Sequence, residues 1–204
     1  MAIEVIDQGK NNRIEVSPEF LSGQNGIIKI YGDDNSIKIG NNCLSRSIFW
    51  EVGSSCKIDI SDRVYLSALT IYLKEGASVS IGKGTGFTWK TILQAHEAKD
   101  ISIGEDCLFA SDTRITVSDM HSIMDRSTGK RINHAKSILI DDHVWISDGV
   151  LILKGATVGT GSVIGAKSVV TRAIPPYTLA VGAPAKVIKS NISWTHDLIQ
   201  EQDD

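Results

Sequence analysis

The chain is poor in cysteine, in long apolar runs and in excess charge of either sign. Its three cysteines, Cys43, Cys56 and Cys107, are odd in number and include no CxxC pair, which argues against a disulfide framework or a cysteine-built zinc or redox centre. They are expected to be small buried thiols in a reducing compartment. No apolar run approaches the roughly 20 residues that span a bilayer. The opening stretch "MAIEVIDQGKNN" lacks the basic-then-apolar layout of a secretory signal. A cytoplasmic protein without a membrane span is therefore expected. The net charge of -3 provides no basic footprint for nucleic acid. What remains is an ordinary globular composition, 42% apolar and 22% charged, in 204 residues. That length holds one large domain or two small ones.

What the chain does have is a repeat. From Ile140 it reads in sixes: "IDDHVW", "ISDGVL", "ILKGAT", "VGTGSV", "IGAKSV", "VTRAIP". Each opens with Ile or Val, and the fifth place of the first five holds Val144, Val150, Ala156, Ser162 and Ser168. Looser hexads lie upstream, among them "IGNNCL", "ISDRVY", "IGKGTG" and "IGEDCL", led by Ile39, Ile60, Ile81 and Ile103 at spacings of 21, 21 and 22 residues. Three hexads make 18, so these upstream turns carry a few extra residues each. Cys43 and Cys107 fall on fifth places and are expected to pack there. A large lead and a small fifth residue every six positions predict an all-β triangular solenoid of parallel strands, with leads pointing inward. Gly, Asp and Asn suit its corners. Its two open ends need caps. Residues 1–35 are expected as an irregular N-terminal cap, 36–190 as the helix domain, and 191–204 as a short C-terminal tail or helix.

Hexads of this form, with "HVWIS", "GSVIGAKSVVTRAIPP" and "VGAPAKVIK", resemble the left-handed parallel β-helix acyltransferases, over about residues 36–190. The left hand is what the resemblance implies; periodicity carries no handedness. After "ITVSDM" a hexad should open at position 121, yet the next clear lead is Ile140. The intervening stretch, read as a loop over 121–139, is by itself either a tolerated surface insertion or a functional loop. In hexapeptide-repeat acetyltransferases a histidine stands where a loop leaves the helix and serves as general base, and His121 matches it. "SDMHS…GKRINHAKSILIDDHVWIS" resembles the branch that acetylates sugars and bacterial polysaccharides, including transferases of capsular polymers such as polysialic acid. The implied activity is transfer of acetyl from acetyl-CoA to a saccharide hydroxyl. Imidazole suits it, because it can take the hydroxyl proton near neutral pH.

The other candidate site residues come partly from the same resemblance and partly from the residues themselves. By the resemblance, Trp145 lies beside the reacting thioester; read from the residues alone, it meets either a ligand or another subunit. Gly165 and Ala166 keep a solenoid edge open to the pantetheine arm. The resemblance places coenzyme contacts at Ala166, Thr171, Arg172, Lys186 and Lys189; Ser147 and Lys167 join the candidate set, and the cations, each a solvated surface charge when taken alone, are expected to meet the phosphates. Ser147 departs from the family, which usually has Gly there. Asp119, two residues before His121, either orients the imidazole, binds the acceptor, or only fills the corner its hexad assigns it. In "FTWKTI", Trp89 and Lys90 replace a short polar side chain found in relatives acting on small sugars. They offer stacking and charge to an anionic polysaccharide, or packing at a subunit contact. His96 is a candidate for the acceptor cleft, and His143 reads as a surface corner. No metal is expected: zinc-holding proteins of this fold need three converging histidines, and no histidine closely follows His121. A homotrimer is implied by the family. The alternatives are N-acetylation of an amino sugar and a non-catalytic β-helical scaffold.

Overall fold

The computed structural model describes residues 2–200. The chain winds as an all-β, largely parallel solenoid of three sheets; from Ser47 onward a full coil gives one strand to each face, and the first two coils have no face 3 strand. Face 1 has eight strands, from Ile3–Asp7 to Val169–Val170; face 2 has seven, from Arg13–Glu15 to Thr157–Val158. Face 3 has seven, from Tyr65–Leu66 to Lys186–Ser190. Successive coils add strands in parallel register, as in Ile92↔Arg114 and Ile101↔Ile138. No helix among the described residues is long and apolar enough to cross a membrane.

The hexad leads form the core. Ile140, Ile146, Ile152, Val158, Ile164 and Val170 are all fully buried, and the upstream leads Ile39, Ile60, Ile81 and Ile103 are at most 5% exposed. Each stacks on the equivalent residue of neighbouring coils, and Phe87 on Phe109 does so with rings 4.7 Å apart. The fifth places are also buried, including Cys43 and Cys107. Cys56 is buried too. Burial pushes the Cys107 thiol up to about 11, so these are packing residues, not nucleophiles.

The fourth places follow a rule of their own. Asn42, Arg63, Asp106, Asp112, His143 and Lys167 have φ between 52° and 59°, and Gly84, Gly149, Gly155 and Gly161 are positive as well. Each corner turns through one left-handed residue, which is why Gly, Asn and Asp recur there. The extra residues of the upstream coils are spent on length. Face 1 strands reach six residues in Ser47–Val52 and Ala68–Leu73, whereas downstream Val169–Val170 has two.

Three boundaries differ from expectation. Residues 3–30 do not form an irregular cap: Ile3–Asp7 pairs in parallel with Gly26–Ile30, and Arg13–Glu15 pairs with Ser36–Ile39. Their hexad signal is weak because this coil closes with a helix, Pro18–Gly23, capped by Ser17 Oγ, which accepts from Phe20 N. Phe20, 3% exposed, plugs the open end of the core. The loop is shorter than 121–139: Lys136 N donates to Val117 O, and Ile138–Ile140 is already a face 2 strand. At the other end Lys186–Ser190 runs antiparallel to Thr178–Val181. The tail beyond it holds no helix among the described residues, and 201–204 lie outside them.

Candidate functional site

His121 sits where the face 1 strand Arg114–Thr116 ends and the chain leaves the solenoid. Val117 is the last residue of the coil core, Ser118 is still buried, and Met120 takes φ 61°, which swings the chain outward. The excursion is an ordered hairpin. Met124 bridges Arg131 in antiparallel fashion, Ile132 N donates to Ile123 O, and Asp125 ties the tip by accepting from Ser127 and Thr128. Those bonds hold the Asp125 carboxyl down at about 2.

Two polar clusters lock the base of this loop. In one, Arg131 grips Glu97 with two guanidinium bonds of 2.7 and 2.8 Å, and Ser118 Oγ donates to the same carboxylate at 2.5 Å. Arg131 and Ser118 together hold Glu97 at about 2. In the other, Asp119 accepts from Lys154 Nζ and from Asn133 Nδ2. The bond from Lys154 holds its carboxyl below the usual range, with Asn133 adding to it. Asn133 Nδ2 also donates to His121 O at 2.7 Å, and Lys154 Nζ reaches Asn133 O. Asp119 therefore acts on the backbone of His121, through Asn133, and makes no bond to its ring. The imidazole is exposed and makes no hydrogen bond among the described residues. The main chain of His121 is held by Asn133, and its ring is left unbonded among the described residues.

Glu97, Arg131, Asn133 and Lys154 were not singled out from sequence. Their partners lie 34, 14 and 35 residues away, and none of them carries a hexad signal. The one available cue was Lys154, a cation at a corner of "ILKGAT" facing the interruption.

Trp145 is on another face. It lies in the face 3 strand Trp145–Ile146, points outward and is 36% exposed. Its neighbour is Trp194 of the tail, 5.9 Å away, which also stacks on His143 at 4.2 Å. Trp194 Nε1 donates to His143 O, and His143 and His196 both bond the Asp106 carboxylate. Asp106, His143 and His196 offer ligand atoms within 4.8 Å of one another, a grouping of metal-binding type, although hydrogen bonds already join them. His143 is thus a fastening for the tail, not a bare corner.

The remaining candidates spread as follows. Ala166, Lys167, Thr171, Arg172, Lys186 and Lys189 are exposed along the C-terminal coils, with Gly165 and Ser147 half-buried. None of those cations has an ion-pair partner among the described residues. A Cβ at Gly165 would come within 2.6 Å of Val181 Cγ1, so a side chain there would force Val181 to shift. Trp89 is exposed at a corner, and Lys90 lines a recess on face 1 beside Arg114. A single chain does not bring Trp145 and His121 onto one surface.

A three-faced parallel β-solenoid with stacked aliphatic leads and one extruded loop headed by histidine is the build of the left-handed β-helix acetyltransferases. No protein-family model matches the chain. A polysialic acid O-acetyltransferase of Neisseria meningitidis is 37% identical over 142 residues, 69% of this chain. The matched chain spans 65% of that curated relative and 40% of a second, from Escherichia coli. Among solved structures, polysialic acid O-acetyltransferase OatWY superposes with a TM-score of 0.89 at 33% identity, covering 97% of this chain and 94% of that one. The polysialic-acid-specific acetyltransferase NeuO gives 0.88 at 30% identity, with 98% and 92% covered. The chain belongs to the polysialic acid O-acetyltransferase family.

Proposed function

We propose that the protein transfers acetyl from acetyl-CoA to a hydroxyl of an extended, sialic-acid-type polysaccharide, with His121 as general base. One observation carries this reading: the backbone of His121 is pinned by Asn133 and, through it, by Asp119 and Lys154, while its ring stays free. The similarity over nearly the whole length of OatWY and NeuO supports the acceptor class. In the reaction the imidazole takes the hydroxyl proton as the oxygen attacks the thioester carbonyl. The tetrahedral intermediate collapses, the acetyl–oxygen bond remains, and coenzyme A leaves as a thiolate that takes the proton back. No acyl-enzyme is required, in keeping with three buried cysteines.

The coenzyme would lie along the C-terminal coils, its phosphates met by Lys167, Arg172, Lys186 and Lys189, with Ala166 and Thr171 beside the arm. Trp145 would line the reacting centre in a homotrimer, where face 3 of one copy lies against the loop of the next. Exposed Met120, Ile123, Met124 and Ile132 on the loop support such a contact. Asp119 serves the site as a positioning residue, Trp89 and Lys90 as acceptor contacts, and the reaction runs in the cytoplasm without a metal.

The deciding experiment follows coenzyme A release with acetyl-CoA and polysialic acid. Release should depend on the polymer and fall by about 10²–10⁴ in His121→Ala. Release that is independent of acceptor, or unchanged in the variant, would sink the mechanism.

A further inference from the structure

Asp106, His143 and His196 meet on the corner between faces 2 and 3, and the repeat itself brings the first two together. Both occupy fourth places of stacked hexads. The register Gly86↔Leu108 and Leu108↔Trp145 sets Gly84, Asp106 and His143 one above another, about 4.8 Å apart. All three turn the corner in the left-handed region, with φ of 73°, 52° and 53°. The Asp106 side chain is exposed and that of His143 half-buried, and the tail lays the exposed His196 beside them.

The hydrogen bonds that join these groups are one proton short. His143 Nε2 lies 3.1 Å from Trp194 O, and its Nδ1 lies 2.7 Å from Asp106 Oδ2. Both partners are acceptors, whereas a neutral imidazole carries a single N–H. With that N–H given to Trp194 O, the lone pair of Nδ1 faces a carboxylate oxygen. His196 Nε2 approaches the other oxygen, Oδ1, at 3.1 Å. Two imidazole nitrogens and a carboxylate therefore converge on one spot, with a ligand atom of each within 4.8 Å of the others. No Lys or Arg pairs with Asp106 among the described residues. A positive charge between the three groups resolves the opposed lone pairs.

The surroundings suit a metal ion. A histidine that ligates a metal typically gives its other N–H to a carbonyl or carboxylate, which fixes its tautomer, and Trp194 O stands in that place for His143. Zinc holds nitrogen and carboxylate oxygen at about 2.0–2.2 Å, so two donors to one ion stand about 3–3.5 Å apart. The contacts of both histidines to Asp106 are already close to that, and a small turn of the exposed His196 completes the set. Beside Asp106, a Cβ at Gly84 would meet nothing within 4 Å, so water can fill the remaining position.

We propose that Asp106, His143 and His196 bind one divalent transition-metal ion of the zinc type, through the carboxylate, Nδ1 and Nε2 respectively. Three converging histidines are not needed, because two nitrogens and a carboxylate form a recognised zinc donor set. The ion ties the tail to two successive coils and seats Trp194 against His143 and Trp145, at ring separations of 4.2 and 5.9 Å. It is a fastening on another face from His121 and takes no part in acetyl transfer. An added proton on His143 answers the same opposed lone pairs, but it confers no affinity for metal.

The test is a titration of the full chain, stripped with chelator, with Zn²⁺ against a chromophoric zinc indicator at mildly alkaline pH. The native chain should take up one ion with a dissociation constant of about 1 μM or below, and Co²⁺ in its place should show the visible absorption of a nitrogen–oxygen site. Asp106→Asn and His196→Ala should each weaken uptake at least about tenfold. His134→Ala, which removes an exposed histidine of the loop, should leave it unchanged. His196→Ala removes a ligand from the tail without touching the core, so its effect is separable from misfolding. Excess Zn²⁺ should raise the unfolding midpoint of the native chain and leave that of His196→Ala in place. No saturable uptake, uptake only at millimolar ion, or native affinity in both ligand variants overturns the proposal, and the clasp is then held by a proton alone.

Discussion

Replacing Glu97 by Gln tests whether the loop is held where its chemistry needs it. The native carboxylate accepts two guanidinium bonds from Arg131 and one from Ser118. The variant keeps the shape and removes the charge. Hydrogen bonds to a charged group contribute about 1.5–3 kcal/mol when shielded. The Glu97 side chain is 32% exposed, so water replaces part of what is lost and about 1 kcal/mol is the reasonable figure. That makes the hairpin open roughly fivefold more often. Amide exchange should show it at Ile123 and Ile132, whose N–H groups are bonded within the loop, while core amides such as Ile152 stay unchanged. Turnover with polymer should fall by a similar factor. The pH dependence has a definite sign. Glu97 is held at about 2, below its ordinary 4.5, so its contribution is complete above about pH 4.5 and is lost as pH falls toward 2. Native and variant loops should therefore exchange alike near pH 2 and diverge above it. Equal exchange at Ile123 and Ile132 at neutral pH would refute the account.

Three further outcomes follow from the same contacts. Trp194→Ala removes the stack on His143 and the bond to its carbonyl, so acrylamide should quench the remaining tryptophan fluorescence more strongly; unchanged quenching would show that Trp145 is not sheltered by the tail. Phe109→Ala empties a fully buried site stacked on Phe87 and should cost about 3–5 kcal/mol in urea unfolding. Cys43, Cys56 and Cys107 are buried and their thiols are raised by it. A thiol reagent at mildly alkaline pH should label none of them in the folded protein and all three in urea, and stoichiometric labelling of the native chain would contradict the packing assigned to them.

Most of the solenoid could be read from the chain because its order is local. A lead such as Ile146 meets its stacking partners wherever they fall, so a six-residue period suffices to place it. The break at His121 could be read for the same reason, as a beat missed by a regular rhythm. The loop anchors could not, since Glu97 with Arg131 and Asp119 with Lys154 are pairings across a fold, set by which corners lie above one another. The first coil carries no legible hexad because its corner is a capped helix. The bond that gives His143 its role has no local signal, since Trp194 arrives 51 residues later.

The tail also gives the molecule a direction of unravelling. A solenoid whose coils touch only their neighbours loses them one at a time from a free end. Here the strap carrying Trp194 and His196 crosses back to His143 and to Asp106 one coil earlier, a span of 90 residues for the last of these bonds. The C-terminal coils cannot peel away singly without first undoing that clasp, and should come apart as a block. The opposite end is closed by Phe20 on a six-residue helix, with Ile3, Ile14, Val16 and Leu21 packed against the core and no strap across the coils among the described residues. Fraying should begin there, at the end farthest from the proposed coenzyme site, so that early losses of order spare the chemistry.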